Sequence, residues 1–135
     1  MTDRNLQGVL DTSVVIDLDE IPDENLPVHA AITAVTLAEL SQGPHLAADV
    51  ETRAIRTERL QLVEATFRSP LPFNATCARK YGSLVAKVLA SGRNPKPRRI
   101  DLMIAATAAS LDLPFYTRNP DDFKGIESSV LVVPV

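Results

Sequence analysis

The chain has 135 residues, 45% of them hydrophobic, which predicts one compact domain spanning 1–135 with a real core. No stretch reaches the roughly 18 uncharged apolar residues of a membrane span, so a membrane partner is not expected, and Met1-Thr2-Asp3-Arg4-Asn5 lacks the layout of a secretion signal. A net charge of -3 argues against gripping nucleic acid by bulk charge, and the lone Cys77 excludes an internal disulfide and fits a reducing cytoplasm.

In chain order, Leu6 to Leu10 reads as a short buried strand ending at Asp11. Thr12 and Ser13 offer cap chemistry for a helical turn through Val14 to Leu18, and Asp19 to Pro27 is a polar, proline-bearing loop. Ala30 to Val35 is predicted as a second strand. Thr36 to Leu46 follows as a helix interrupted at Gly43-Pro44, and Ala47 to Ala65 is loosely amphipathic. Pro70 and Pro72 bracket a short extended piece. Thr76 to Ser91 is a helix with Tyr81, Leu84, Val85, Val88 and Leu89 on one stripe. A loop at 92–97 leads to an alanine-rich, almost wholly apolar helix from Ile100 to Leu111, then strands at Leu113–Thr117 and Val130–Val133. This alternation predicts a three-layer α/β/α sandwich around a central, mostly parallel sheet.

Polar residues stand where these elements meet. Asp11 closes the first strand, Glu39 lies in Thr36-Leu37-Ala38-Glu39-Leu40, Asp101 opens the apolar helix, and Asn119, Asp121 and Asp122 follow the third strand. Each has an ordinary explanation. Asp11 could end a strand, and Thr36 with Glu39 fits a capping box. Asp101 could offset a helix dipole, and Asn-Pro-Asp-Asp is turn chemistry. Together they suggest more, because neighbouring parallel strands bring their carboxyl ends to one crevice, and carboxylates gathered there repel unless a hard cation intervenes. Arg93, Lys96, Arg98 and Arg99 would supply a basic rim for a phosphodiester. His29 and His45 are too isolated to suggest zinc, and the other acids of 17–24 read as solvated surface.

From about Val9 to Val133 the chain resembles the PIN-domain ribonucleases, specifically the VapC-type toxins of bacterial toxin-antitoxin pairs. The motifs that carry the resemblance are Leu10-Asp11-Thr12-Ser13, Thr36-Leu37-Ala38-Glu39-Leu40, Asp101-Leu102-Met103-Ile104-Ala105-Ala106-Thr107-Ala108 and Thr117-Arg118-Asn119-Pro120-Asp121-Asp122-Phe123. The resemblance implies a Mg²⁺- or Mn²⁺-dependent endoribonuclease with Asp11, Glu39 and Asp101 as core acids. The fourth acid is placed at Asn119 or Asp122. It implies catalysis by Asp11, Glu39, Asp101, Asn119 and Asp122, with metal on Asp11, Glu39, Asp101 and Asp122. Thr12, Ser13, Thr117, Arg98 and Arg99 are implied to position carboxylates or bind substrate. The expected reaction is attack by a cation-activated water on a transfer or ribosomal RNA, leaving 5′-phosphate and 3′-hydroxyl ends. A cognate VapB-like antitoxin that wraps the toxin is implied, with docking over the Val14–Ala65 region, and so is a homodimer that forms a heterotetramer or larger assembly.

Two rival readings stand beside this one. A haloacid-dehalogenase-type phosphatase also ends a strand with an Asp, but its chemistry wants a second Asp where Ser13 stands. A catalytically inactive PIN-like module binding RNA or protein is the reading that Asn119 keeps open.

Overall fold

The computed structural model describes residues 4–135; Met1, Thr2 and Asp3, read above for a leader, lie outside the described residues. Four parallel strands form one sheet in the order β2-β1-β3-β4, with β1 at Gln7–Leu10, β2 at His29–Ala31, β3 at Phe115–Thr117 and β4 at Val132–Pro134. The helices are α1 Thr12–Ile16, α2 Ala34–Gln42, α3 Val50–Thr66, α4 Ala75–Ala90 and α5 Arg99–Ser110. None of the described helices is long and apolar enough to cross a membrane.

The period-two alternation of the strands builds the three layers. Val9 and Phe115 are fully buried against α4 and α5, in a core with Leu84, Leu102, Ile104 and Ile126. Their neighbours Leu10 and Tyr116 point to the other face, where Val14, Val15, Ile32, Leu40 and Val63 close a second core under α1, α2 and α3. Gly8 is required between them, because a Cβ there would stand 2.5 Å from the Tyr116 ring.

Several predicted boundaries move, each for a local reason. The second strand does not run to Val35. It stops at Ala31, and the buried Thr33 accepts a hydrogen bond from the Thr36 N–H at 3.0 Å, so α2 starts at Ala34. Thr36 is therefore not the N-cap, and Glu39 lies well inside the helix. The capping-box explanation of Glu39 fails. Leu71, the extended residue between Pro70 and Pro72, pairs with the backbone of this junction through bonds to Ile32 and Ala34. Helix α2 gives way at Gly43-Pro44, as expected, to a 3-10 turn over Gly43–Leu46. Asp49 caps α3 and Asn74 caps α4. Of the predicted α4 stripe, Leu84 and Val88 are buried, Tyr81 and Val85 pack against the core, and Leu89 faces solvent. Around α1 the cap position is Asp11 rather than Thr12 or Ser13. The final strand lies two residues later than predicted at its start, on the open edge of the sheet, with Leu131 exposed.

Candidate active site

Parallel pairing of β1 and β3 places the end of one strand beside the end of the other, and the Asp11 N–H donates to the Tyr116 carbonyl at 2.8 Å. This brings Thr117 next to Asp11 across more than a hundred residues of sequence. Asp11 is only 4% exposed. Its Oδ2 accepts from Ser13 Oγ and from Thr117 Oγ1, both at 2.8 Å, whereas its buried Oδ1 has no hydrogen-bond partner. Two hydroxyls thus fix the carboxylate's orientation and leave one oxygen uncompensated, an expensive arrangement in a buried site unless a cation or donor meets it. Burial pushes the Asp11 carboxyl above its usual range, and the Ser13 and Thr117 hydroxyls pull against that rise.

Glu39 reaches the same crevice from α2. Its Oε1 accepts from Thr12 Oγ1 at 2.7 Å, and the Thr12 hydroxyl also lies 3.0 Å from Thr36 Oγ1. Burial raises the Glu39 carboxyl, the Thr12 hydrogen bond opposes the rise, and the charge of Asp11 adds to it. Asp101 enters from the first turn of α5. It is pushed up to about 6, by burial first and then by the charges of Asp11 and Glu39, with Arg98 acting in the opposite direction. Asp122, on the 3-10 turn Pro120–Phe123, also raises Asp11 and Asp101 by its charge. The four acids therefore share one field, although each arrives on a different element.

The neighbouring residues divide by role. Thr12, Ser13 and Thr117 hold carboxylates. Arg98 forms an ion pair with Asp122 at 2.9 Å and lies 3.7 Å from Asp101, while Arg99 and Lys96 are exposed on the rim. Arg93 donates to the Asp121 carbonyl at 2.8 Å and so ties the two loops of the rim together. The Asn119 side chain is exposed and makes no hydrogen bond among the described residues; its backbone carbonyl accepts from the Asp122 N–H at 3.0 Å. The acid of this turn that couples to the crevice is Asp122.

Sequence reasoning missed Thr33, Thr36 and Arg118. Thr33 was readable, since a Thr three residues ahead of Thr36 is itself a good cap. Arg118 had no local signal. Its N–H donates to Ser13 Oγ at 3.2 Å, and its buried Nη1 lies 3.5 Å from Asp17 and 3.8 Å from Glu20. Those distances are long for hydrogen bonds, so charge alone satisfies this nitrogen. Asp17 and Glu20, expected to be solvated surface, are thereby tied to the strand that carries Thr117.

Among the described residues no three carboxylate, imidazole or thiol side chains converge tightly enough to enclose an ion by themselves. Thr12 holds Glu39 and Arg98 holds Asp122, which keeps them apart. The oxygen-only donor set, with a buried unpartnered Asp11 Oδ1, still fits a cation such as Mg²⁺, which binds through one or two carboxylates and retains several waters. Beside Glu39 a cavity of about 240 Å³ is bordered by Arg56 and Arg59. Beside Asp122 another of about 260 Å³ is bordered by Arg93, Arg98 and Lys124. Further from the acids, a groove of about 490 Å³ runs between α1 and α3, lined by Val15, Ile16, Ile55, Leu62, Val63 and Phe67 among others.

No family model matches the chain. Ribonuclease VapC5 of Mycobacterium tuberculosis (strain ATCC 25618 / H37Rv) is 38% identical to it over 128 residues, covering 93% of this chain and 91% of that protein. Ribonuclease VapC8 of Mycobacterium tuberculosis (strain CDC 1551 / Oshkosh) is 34% identical over 104 residues, covering 75% of this chain and 89% of that one. The fold superposes on the crystal structure of VapBC-5, a toxin-antitoxin system member from Mycobacterium tuberculosis, with a TM-score of 0.84 and 39% identity over 96% of this chain and 99% of that one.

Proposed function

The chain belongs to the VapC ribonucleases, PIN-domain toxins of toxin-antitoxin pairs, and from that premise we propose that it is an endoribonuclease whose four acids work with Mg²⁺ or Mn²⁺. The observation that carries the metal dependence is the buried Asp11 carboxylate, with Oδ2 satisfied twice and Oδ1 not at all. Asp11 and Asp101 would hold the ion, Glu39 would face it directly or through water, and Asp122, already engaged by Arg98, would reach it through water at most. A divalent cation there supplies a lowered pKa for a bound water and offsets the charge on a phosphate.

The chain's own residues do the rest. Ser13 and Thr117 keep Asp11 in one rotamer, and Thr12 does the same for Glu39, so the acids need no reorganisation when substrate arrives. Exposed Arg99 and Lys96 on one side, with Arg59 on the other, would draw the RNA backbone over the pit. With two Tyr and four Phe in the chain, and Phe115, Phe123 and Tyr116 buried, a broad base-stacking platform is not expected, and recognition would rest on RNA shape and a few unpaired bases. A structured RNA such as a transfer RNA or a ribosomal RNA loop is the substrate class proposed.

The partner is a cognate VapB-like antitoxin. The groove between α1 and α3 is the surface proposed to receive an apolar segment of it, since Ile16, Ile55 and Leu62 are exposed there. A homodimer in the cytoplasm, assembling into a heterotetramer or larger with antitoxin, completes the proposal.

The test is cleavage of total RNA by partner-free protein with Mg²⁺, Mn²⁺ or chelator, with fragment ends mapped. Cuts at few sites, lost with chelator and lost in Asp11→Asn and Asp101→Asn, are expected. Cleavage that persists in chelator would overturn the metal dependence, and no cleavage with intact RNA binding would favour the inactive module.

A further inference from the structure

One cation in the acidic pit belongs to the chain itself. Arg98 ends the short turn Lys96–Arg98 immediately before α5, three residues ahead of Asp101. Its guanidinium spans two of the acids, with Nη2 at 2.9 Å from Asp122 Oδ1 and Nη1 at 3.7 Å from Asp101 Oδ2. All three side chains are partly withdrawn from solvent. The backbone beneath Arg98 is fixed as well. The Arg98 N–H donates to the Pro95 carbonyl at 2.9 Å, and the Lys96 N–H donates to Asn94 Oδ1 at 3.1 Å. Arg93 then binds the facing turn through the Asp121 carbonyl. Both partners of the ion pair therefore sit on loops that are tied to each other, which separates this contact from an ordinary surface pair.

On the opposite wall the situation is reversed. Among the described residues Asp11 Oδ1 is buried with no hydrogen-bond partner, and Glu39 accepts from a hydroxyl but forms no ion pair, with Arg56 and Arg59 bordering the cavity beside it. The pit thus has one compensated edge, Asp122, and one uncompensated edge, Asp11 with Glu39. Asp101 stands between them.

We propose that Arg98 is a built-in counter-cation that pairs with Asp122 and shares Asp101, so that the pit accepts a single divalent cation, on its Asp11 side, rather than two. The inference rests on the metal-dependent reading given above. A second ion between Asp101 and Asp122 would occupy the guanidinium's place, and a guanidinium cannot escape by losing its proton. It would also have to break a close ion pair whose two partners stand on loops tied to each other. On this view Arg98 is a positioning residue of the acidic pit and not one of the contacts to the RNA backbone.

The test counts ions and needs no substrate. Full-length, partner-free protein stripped with chelator is titrated calorimetrically with MnCl₂, and bound Mn²⁺ is counted independently by electron paramagnetic resonance. One Mn²⁺ per wild-type chain is expected, and Arg98→Met should admit a second, whereas Arg98→Lys, which keeps the charge, should not. Asp11→Asn should weaken the affinity of the first ion by about tenfold or more. Two ions in the wild type, or equal counts in wild type and Arg98→Met, would overturn the role given to Arg98. No Mn²⁺ binding by the wild type would instead overturn the metal-dependent reading and take this inference with it. If Arg98→Met does not fold, the same count on Arg98→Gln decides.

Discussion

Helices α5 and α3 lie on opposite faces of the sheet and are built on opposite terms. Over twelve residues α5 buries seven side chains, Leu102, Ile104, Ala105, Ala106, Thr107, Ala108 and Ala109. Its small residues let α4 and the sheet approach closely. Over seventeen residues α3 buries Val63 alone and leaves Ile55 and Leu62 59% and 62% exposed. From Leu102 onward the apolar content of α5 is largely explained by packing, so the residue there that stands out is its acid, Asp101. On α3 most charges are surface, Arg56 and Arg59 beside Glu39 apart, and the unexplained residues are the apolar ones that line the groove beside α1. What marks function in a helix is the residue its burial does not account for: a carboxylate in one case, bare hydrocarbon in the other.

This contrast can be broken most severely at the acid. Asp101→Asn, with Asp11→Asn as its counterpart on β1, should lower RNA cleavage by roughly a thousandfold or more, about 4 kcal/mol of barrier. Initial rates on a mapped RNA site measure it, and retention of a tenth of the activity would refute the assignment. The packing side comes next. Leu102 is fully buried, so Leu102→Ala should cost about 3 kcal/mol in urea unfolding, while Leu62→Ala on α3 should stay within about 0.5 kcal/mol. If both changes cost the same, the two helices are not built on different terms.

Turned round, the same α3 surface should matter for association. Ile55→Ser combined with Leu62→Ser should weaken binding of the antitoxin by about 2 kcal/mol, some thirtyfold, with the melting temperature of the free chain unchanged. Unaltered affinity in a calorimetric titration would remove the groove from the interface.

The pH dependence of metal-free protein sharpens the account of Asp101. Its carboxyl is pushed up to about 6 in the fold from an ordinary value of 3.8. The folded state therefore holds this proton more tightly than the unfolded chain does. The resulting stabilisation is complete below pH 3.8 and is lost as pH rises past about 6. Allowing for solvent screening, the loss from Asp101 should be about 1–2 kcal/mol, and Asp101→Asn should remove that share while leaving those of Asp11 and Glu39. In chelator at neutral pH that variant should be at least as stable as the wild type, and a less stable variant would mean that Asp101 serves the helix start instead. A modest effect is expected at the start of α2, where Thr33→Ala should cost about 1 kcal/mol in urea unfolding through loss of the cap.

Residue by residue, legibility followed the range of the interaction. Asp11 and Asp101 could be singled out because each interrupts a strongly apolar stretch. Glu39 was harder, since Thr36-Leu37-Ala38-Glu39 mimics a capping box, and only the buried Thr33 shows that the helix begins earlier. Asn119 and Asp122 could not be separated by pattern, because both suit the same turn. The backbone does separate them: it leaves the amide in solvent and places Asp122 against Arg98. Arg98 itself read as a rim cation for substrate, and its pairing with Asp122 and approach to Asp101 gave no sign in the sequence. Arg118 gave no signal, because its partners are Ser13, Asp17 and Glu20, a hundred residues away.

The sequence by itself determined the alternation of strands and helices and the two-sided burial of the sheet, and it offered Asp11, Glu39 and Asp101 as candidate acids, since hydrophobic period and local cap chemistry act over a few residues. The tertiary structure alone decided which hydroxyl holds which carboxylate, which acid of the 119–122 turn faces the pit, and that Arg98 pairs with it. Those choices depend on strand register and on the meeting of loops far apart in the chain, where a shift of one residue turns every side chain to the other face.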